Sequence, residues 1–527
     1  QLISQDEQSL VLRVHGLEYN NARAVYKSTT MDMRNYKRLQ MFVHAEAVPG
    51  ERELQDNELS CFIRLGTDMT NNYYEYEVPL KVTEARTDYD NDKDVDRVAV
   101  WPKENNIDFP FSALTNAKTA RNKAKRSGDP NVSNTRPYAV YDDNNGKPNN
   151  RITVLGNPTL EDVEYIVIGV RNRNGVSTES KSTNLSGEIW VDELRLSEFN
   201  EEGGVAAIAN IGLGISDIAQ LNLAGRVETA GFGSIESNVQ NRNMDNTYQF
   251  QVSAALEAGR LFPEKAKLHI PLYVSYSKDI TSPNYDPTDT DIKLKESLNT
   301  YTTQHEKDSI KNLANTTQEN LSWSLTNLKV DIHSKKKDMF YDPANFTLSV
   351  AYNRQKQQSP EIAKDMTTDH KGSFSYAYSF NPKPWEPFKK MEKVKDIKFL
   401  SEFNLYYLPQ SWAFNTDMHR SFSELKMRDF NKVEAGETKN QDLSFSHDFT
   451  SNRNFDFKFD LTKNMKFSFH TAMNSTVDEG YYTPEIIKDY NFTNDYYEAW
   501  KDTVKRSLKT WGSPYTYQQV FTASWNV

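Results

Sequence analysis

The sequence predicts a mainly β protein, in which a jelly-roll-like β-sandwich domain is followed by antiparallel strands of a large transmembrane β-barrel. Aromatic residues make up 12% of the 527 positions, led by 28 Tyr and 27 Phe, which is a β-rich balance. Mean hydropathy is −0.76, and no run of about 18 apolar residues could form a membrane-crossing helix. Barrel strands remain compatible with this polarity because only alternate residues of such a strand meet lipid.

The first predicted domain spans residues 1–203. Ser112 and Arg126 bound a predicted helix, with Ser112 as its cap. Asn131–Asn150 is rich in Asn, Asp, Gly and Pro, so we predict a loop there. Several short strands with one helix and long loops favour a jelly-roll sandwich. The predicted strands are Leu10–Val14, Leu39–Glu46, Leu59–Leu65, Tyr73–Val78, Tyr165–Arg171 and Glu188–Leu196.

The second predicted domain, residues 204–527, alternates strictly between two kinds of side chain. Because strand side chains point to opposite faces in turn, each strand gains one apolar, aromatic face and one small or polar face. In the clearest strand we expect the first set to face lipid or a partner protein and the second to face a lumen. The first set is Phe374, Tyr376, Tyr378 and Phe380, and the second is Ser375, Ala377 and Ser379.

A soluble β-sandwich gives the same alternation, with its apolar face turned inward. Two features favour the membrane barrel. Tyr and Phe are dense on the apolar face, as in aromatic girdles. Connections as short as Thr462–Asn464 also coexist with others as long as Ser277–Glu319, which matches the short turns and long loops of such barrels.

One long loop is predicted to hold a helix near residues 493–511. Its helical spacing places Trp500, Val504, Leu508 and Trp511 on one face, and Thr493 or Asn494 could cap it. The helix is predicted to pack on the barrel rim or lumen wall, and a partner-binding helix is the alternative.

The acidic run that begins at Asp88, Asp90 and Asp92 is the best candidate metal site in the sequence. An EF-hand loop would need Gly at its sixth and Glu at its twelfth position. Counted from Asp88, those positions hold Lys93 and Ala99. The run therefore favours a solvated acidic loop, with a calcium site of another kind as the alternative.

Catalytic and cofactor motifs are missing from the sequence. The nine His form no HExxH pair, and Cys61 is the single cysteine, so neither a zinc motif nor an internal disulfide is predicted. The sequence also has no P-loop and no GxSxG, and it singles out no carboxylate pair of the glycosidase kind. The formal charge of −10 argues against a nucleic-acid partner. We predict a protein that is not an enzyme and has no cofactor, in which Lys335–Lys337 is a solvated turn.

Six blocks, in this order along the chain, resemble the SprA (Sov) family, the outer-membrane translocon of type IX secretion that is linked to gliding motility. Their positions that stand out are Trp101, Pro102, Asn105, Trp190, Asp192, Gly231, Gly233, Pro409 and Arg420. The blocks are Tyr36–Glu46, Trp101–Asn105 with Leu114, Lys118, Arg121 and Asn122, Gly187–Leu196 continued by Asn222–Arg226, Gly231–Glu236, Ser282–Pro287 with Asp289 and Asp291, and Leu408–Ser411 with Arg420 and Arg428.

This resemblance implies a protein-conducting channel that carries folded cargo proteins across the outer membrane to the cell surface. It also implies membrane lipid, a PorV-type barrel and a periplasmic plug protein as partners. The chain starts at Gln1 without a signal peptide and stops at Val527 within a strand pattern, so we expect an internal fragment of a longer polypeptide. The alternative is a secreted or cell-surface β-protein with a glycan- or protein-binding jelly-roll module, which would express without detergent.

Overall fold

The computed structural model describes residues 9–86, 88–90, 92–173, 184–233, 236, 242–334, 338–389, 397–428 and 442–525. The chain folds into two compact units. The sandwich unit comprises Gln1–Val205, Thr229–Asn246 and Pro283–Ala314, and the sheet unit comprises Ala206–Glu228, Thr247–Ser282 and Asn315–Val527. The domain boundary at residues 203 and 204 stays a prediction.

Strands dominate both units, and the helices are short apart from two. The helices are α1 (Asp94–Val100), α2 (Phe111–Arg126), α3 (Leu294–Asn299), α4 (Gln304–Ala314), α5 (Lys398–Ser401), α6 (Pro484–Asp489) and α7 (Asn494–Lys509). The strands are β1 (Leu10–Leu17), β2 (Ala22–Met31), β3 (Tyr36–Glu46), β4 (Leu59–Gly66), β5 (Tyr73–Pro79), β6 (Ile107–Pro110), β7 (Tyr138–Asp142), β8 (Lys147–Leu155), β9 (Val163–Asn172), β10 (Leu185–Phe199), β11 (Ala206–Ile215), β12 (Ala219–Glu228), β13 (Asp245–Glu257), β14 (Leu268–His269), β15 (Pro271–Pro283), β16 (Tyr285–Asp286), β17 (Asp289–Lys293), β18 (Thr316–Val330), β19 (Phe346–Gln358), β20 (Ile362–Ser379), β21 (Ser411–Met427), β22 (Ser444–Asp460), β23 (Met465–Thr476) and β24 (Ser513–Trp525).

Two antiparallel sheets of the sandwich unit share one apolar core. One has the order β1-β10-β3-β6 and the other β2-β9-β4-β5-β8-β7. Alternate residues of both point inward, so that Val43 and Ile189 from the first sheet join Cys61 and Val170 from the second, all with no measurable exposure. Helix α2 adds Leu114 to the same core. The small sheet β16-β17 also belongs to this unit.

All six strands predicted in this region are confirmed. The predicted loop Asn131–Asn150 is wrong in part, because β7 lies within it and β8 begins there. An Asn-Gly turn with Gly146 at φ +70° joins these two strands, and its turn-forming residues mask the short strands on either side. The predicted Ser112 cap is also wrong, since α2 begins at Phe111 and Pro110 precedes it.

The sheet unit contains a 12-stranded sheet in which neighbours follow chain order, β11-β12-β13-β15-β18-β19-β20-β21-β22-β23-β24, with β14 paired to β18. The recorded pairings in it are antiparallel. The expectation of one continuous antiparallel sheet after residue 204 is confirmed for these strands. Within the described residues β11 and β24 are the two edges, so the sheet does not close on itself.

Connections in the sheet unit differ greatly in length. The tight hairpin predicted at Thr462–Asn464 is confirmed between β22 and β23. The long connection from residue 477 to 512 holds α6 and α7, and α7 confirms the helix predicted near residues 493–511. Thr493 occupies the N-cap of α7 without a side-chain cap hydrogen bond. In the part of the chain that is described, no helix is long and apolar enough to cross a membrane. The predicted turn at Lys335–Lys337 lies outside the described residues.

Candidate functional site

An aromatic row crosses strands β20 to β24 on one face of the 12-stranded sheet. The strand register pairs Tyr378 with Trp412, Trp412 with Phe457, Phe457 with Phe469 and Phe469 with Phe521. Residues paired directly across antiparallel strands point to the same face, so these five rings form a line across the sheet. A parallel line next to it is formed by Phe346, Tyr376, Phe414 and Phe455.

The opposite face of the same strands is small and polar. Ser375 pairs with Asn415 and donates a hydrogen bond to its amide oxygen, and Ser379 pairs with Ser411. Ala377 pairs with Ala413, which in turn pairs with Asp456. The structure thus separates the two sets of residues onto two faces. The assignment of these faces to lipid and lumen stays a prediction.

Part of the aromatic row is covered by the connection between β18 and β19. The Tyr378 hydroxyl donates to the Asp338 carbonyl at 2.7 Å, and the Tyr376 hydroxyl donates to the Phe340 carbonyl at 2.8 Å. Tyr378 is 9% exposed as a result. The ring of Phe380 lies 4.7 Å from that of Tyr378. This end of the row is therefore amphipathic, with apolar rings and hydroxyls that are satisfied locally.

Arg420 holds the connection 477–512, here called the docked segment, against the aromatic face. Its guanidinium donates to both carboxylate oxygens of Glu485 at 2.8 and 2.9 Å and also to Glu479. Glu479 is 3% exposed, and the Trp500 ring lies 6.0 Å from the guanidinium carbon. A bidentate arginine–carboxylate pair fixes orientation as well as distance. Arg420 therefore positions the docked segment.

A second contact of the docked segment involves Lys364 on β20. Its ammonium lies 3.3 Å from Asp489 and also contacts Glu424, whose side chain has no exposure. Ile486 and Ile487 of α6 are buried at 2% and 8% exposure. Sequence reasoning missed these contacts because the partners lie 59 to 125 positions apart and no local pattern connects them.

A buried cluster of charged side chains lies between α2 and β17 in the sandwich unit. Lys118 of α2 lies 2.9 Å from Asp291 and 3.1 Å from Asp289 of β17. The Tyr74 hydroxyl donates to Asp291 at 2.6 Å, and Asn122 donates to Asp289 at 2.9 Å. Burial raises the pKa of the Asp289 carboxyl, and Lys118 opposes that shift. Two of the blocks on which the family resemblance rests thus meet in space.

A second buried network lies on the face of β4, β5 and β9 that points away from the core. Arg171 binds Glu75 at 2.9 Å and also contacts Glu77, while Arg64 contacts Glu75. Burial by itself would raise the pKa of Glu75, but the hydrogen bonds and charges of Arg171 and Arg64 outweigh burial and hold that pKa below its ordinary value. The network was not predicted, because each strand contributes only one or two of its members.

Trp101 and Trp190 pack on the face of β3 and β10 that points away from the core, and Asn105 is buried close to the same sheet. His44 lies between the two tryptophans, with ring centroids 5.8 Å from Trp101 and 5.1 Å from Trp190. Asn105 has no exposure, and its amide bridges the backbone of Lys81, accepting from the nitrogen at 2.7 Å and donating to the carbonyl at 2.8 Å. The Asn105 side chain thus satisfies both backbone groups of Lys81, as a neighbouring β-strand would.

The remaining motif residues shape the backbone. Pro102 precedes the short turn Lys103–Asn105. The Asp192 carboxylate accepts from the Glu193 nitrogen at 2.8 Å. Gly231 has φ +88°, and an added Cβ would lie 2.3 Å from the Glu202 carbonyl oxygen, so only glycine fits. A Cβ added at Gly233 would lie 3.1 Å from the Arg242 side chain. Pro409 is half-buried two residues before β21.

The candidate metal residues Asp88, Asp90 and Asp92 lie on a surface loop. Asp90 contacts the Lys93 ammonium at 3.1 Å and accepts from the Asp92 nitrogen at 3.0 Å. The downstream acids Asp94 and Asp96 form the first turn of α1, where negative charge is favourable. Among the described residues, a different trio has converging ligand atoms, namely His333, Asp338 and Asp342. The Asp342 carboxylate already accepts from Ser334 and the Met339 nitrogen.

The fold defines a mainly β protein, with a sandwich unit and a long antiparallel sheet that has one aromatic and one polar face. The model of the SprA N-terminal family, described as a motility-related/secretion protein, matches residues 1–298, which is more than half of the chain. The chain belongs to this family of motility- and secretion-related proteins. No curated protein matches it.

Proposed function

We propose that this chain forms part of a large outer-membrane protein-conducting channel, which exports cargo proteins to the cell surface in type IX secretion and gliding motility. The single observation that carries the proposal is the apolar face of the 12-stranded sheet, which is uncovered along much of its extent. On that face Phe346 is 39% exposed, Leu348 is 42% exposed and Phe521 is 67% exposed. A soluble sandwich would bury such a face against a second sheet.

The length of the strands also supports a sheet that crosses the membrane. β20, β21 and β22 have 18, 17 and 17 residues, whereas about 9–11 tilted residues cross a bilayer. The excess length implies that each strand also extends beyond the hydrocarbon. The apolar rings lie in one half of these strands, and the charged side chains Arg420, Glu424 and Lys364 lie in the other half. The charged half would be the part that extends beyond the hydrocarbon.

The polar face would line the passage. Its residues are small or hydrophilic, as Ser375, Ala377 and Asp456 illustrate, and a water-filled lumen favours this composition. Because barrel diameter grows with strand number, a passage for a folded protein requires more strands than the 12 described here. The sandwich unit would be a jelly-roll-like domain outside the bilayer.

The proposed partners are secreted cargo proteins, a PorV-type barrel, a periplasmic plug protein and membrane lipid. We propose no catalytic step, no cofactor and no nucleic-acid partner. The family match supports the assignment to secretion, and the resemblance of the sequence blocks supports these partners.

Paired arginine substitutions in the full-length protein test the proposal. An arginine on the lipid face near the bilayer midplane costs about 2–4 kcal/mol, whereas a lumen position tolerates it. Tyr376→Arg and Phe521→Arg should therefore reduce the amount of protein assembled in the outer membrane. Their neighbours on the other face, Ala377→Arg and Thr522→Arg, are the matched controls and should assemble normally.

The readouts are outer-membrane fractionation and the amount of cargo at the cell surface. Equal assembly of all four variants would contradict the assignment of the two faces. Recovery of the unmodified protein in the soluble fraction without detergent would favour the alternative, a secreted or cell-surface β-protein with a glycan- or protein-binding module.

A further inference from the structure

We propose that the docked segment, residues 477–512, binds the headgroup layer of the bilayer and supplies an interfacial aromatic belt, displaced along the strands from the row that contains Trp412. The inference rests on the proposed function, because it needs the 12-stranded sheet to lie in a membrane. The partner is the lipid surface surrounding the same barrel wall.

The docked segment carries a dense cluster of aromatic rings at its surface. Tyr482 lies 5.1 Å from Tyr481, 5.3 Å from Phe492 and 4.9 Å from Tyr496, measured between ring centroids. Tyr490 stacks on Phe492 at 5.8 Å. Tyr481 is 63% exposed and Tyr490 is 52% exposed. A contiguous exposed patch of this kind marks an interaction surface.

The position of the cluster along the sheet fits a bilayer boundary. Arg420, which holds the docked segment, follows Trp412 by eight residues on β21. At about 3.3 Å per residue the two lie roughly 26 Å apart along the strand, and a tilt of about 40° reduces this to roughly 20 Å across the membrane. The apolar band of an outer-membrane barrel is about 25 Å tall. With the row of Trp412 in the middle of this band, whose half-height is about 12 Å, the docked segment lies at the headgroup layer.

The docked segment also shields polar groups on the aromatic face. The Trp511 ring lies 4.9 Å from the guanidinium carbon of Arg453. Ser451 and Ser475, on the same face, have no exposure. An unshielded guanidinium would be costly against hydrocarbon. Trp511 is therefore placed where the apolar band ends and the polar part of the wall begins.

The docked segment is attached to the sheet by ion pairs and by a buried apolar side chain. Arg420 binds Glu479 and Glu485, and Ile486 is buried at 2% exposure. The exposed rings are thus held in a fixed orientation. Tyr and Trp favour the interface because their rings are apolar while their polar atoms reach water and headgroups. Lys505, Arg506 and Lys509 of α7 are exposed, and their positive charges suit lipid phosphates.

Depth-dependent quenching of a fluorophore tests the inference. The full-length protein is reconstituted in bilayers with an environment-sensitive label on Tyr496→Cys, and Tyr490→Cys serves as a second labelling site. The buried Cys61 has no exposure and does not compete for the label. Quenchers are carried on the lipid headgroup or deep in the acyl chain. Phe521→Cys is the control for the apolar band, and Thr522→Cys is the control for the opposite face.

We expect the headgroup quencher to reduce the fluorescence of the labels at Tyr496 and Tyr490 at least about twofold more than the deep quencher does. At Phe521 the deep quencher should be the stronger of the two. The label at Thr522 should be quenched little by either. If Phe521 is quenched from the acyl chain but Tyr496 and Tyr490 by neither probe, water or a protein covers the docked segment. That result overturns the inference and leaves the channel proposal intact. Preferential quenching of Tyr496 from the acyl chain also overturns it. If no lipid probe quenches Phe521, the channel proposal itself fails.

Discussion

Lys118 and Asp291 form an ion pair of 2.9 Å between residues 173 positions apart, with 1% and 0% of their side chains exposed. The pair joins α2 to β17, so a segment that follows the first strands of the long sheet completes the sandwich unit. A lone buried ammonium is costly, and the two carboxylates of Asp289 and Asp291 make its burial possible.

Asp291→Asn should lower the free energy of unfolding of the sandwich unit by about 3 kcal/mol. This value is at the lower end of the range for breaking a buried ion pair, because Lys118 still has the Asp289 carboxylate at 3.1 Å. The measurement is hydrogen exchange of the α2 amides in the full chain. Asp162→Asn, at an exposed position of the same unit, should change the value by less than about 0.5 kcal/mol. Equal protection in both variants would show that the pair adds no stability.

Residues 1–203 expressed alone should be less stable than a version in which a Gly/Ser linker joins residues 1–246 to 283–314. The shorter protein lacks Asp289 and Asp291, leaving Lys118 and the Tyr74 hydroxyl buried without these partners. Urea unfolding of both proteins measures the difference. A midpoint for 1–203 that equals that of the longer protein would count against this role of residues 283–314.

The stability of the sandwich unit should fall as the pH is lowered past 4.5, the ordinary pKa of a glutamate, because the pKa of Glu75 is held below it in the folded state. The folded protein then binds fewer protons than the unfolded chain, so stabilisation by Glu75 is present above 4.5 and is lost as the pH falls through its lower folded pKa. Glu75→Gln should flatten this dependence in unfolding measurements between pH 3 and 7. Glu84→Gln, at an exposed position, should preserve it.

Cys61 should resist alkylation by iodoacetamide at pH 8 while the chain is folded. Burial, together with the charge of Glu77, raises the pKa of this thiol to about 12, and its side chain has no exposure. The reactive thiolate is therefore scarce and inaccessible. Mass spectrometry should show modification only after denaturation, and stoichiometric modification of the folded chain would refute the prediction.

Arg420→Ala should release the docked segment, since it leaves the buried Glu479 without its arginine partner. Cleavage between residues 477 and 512 by added protease should rise by at least about tenfold in membrane-embedded protein. Lys488→Ala, at an exposed position of α6 in the same segment, is the matched control and should not raise cleavage. If both variants are cleaved like the parent protein, Arg420 is not what holds the segment.

Local patterning predicted the strands well, because hydrophobic alternation acts over neighbouring residues. The alternation of Phe374 through Phe380 indicated a two-faced strand, and β20 has that form. The spacing of Trp500, Val504 and Leu508 likewise indicated the helix that α7 forms. The strands around Gly146 were missed because turn-forming residues dominate their composition.

The sequence by itself determined the β-rich class, the two faces of each strand and the family resemblance, since these depend on residue type and short-range period. Only the tertiary structure decided which charges meet, as with Lys118 and Asp291 or Arg420 and Glu485. It also decided that the aromatic face stays uncovered along much of the sheet, as Phe521 shows. The physical reason is that ion pairing and burial depend on distances between segments far apart in the chain, which no local pattern encodes.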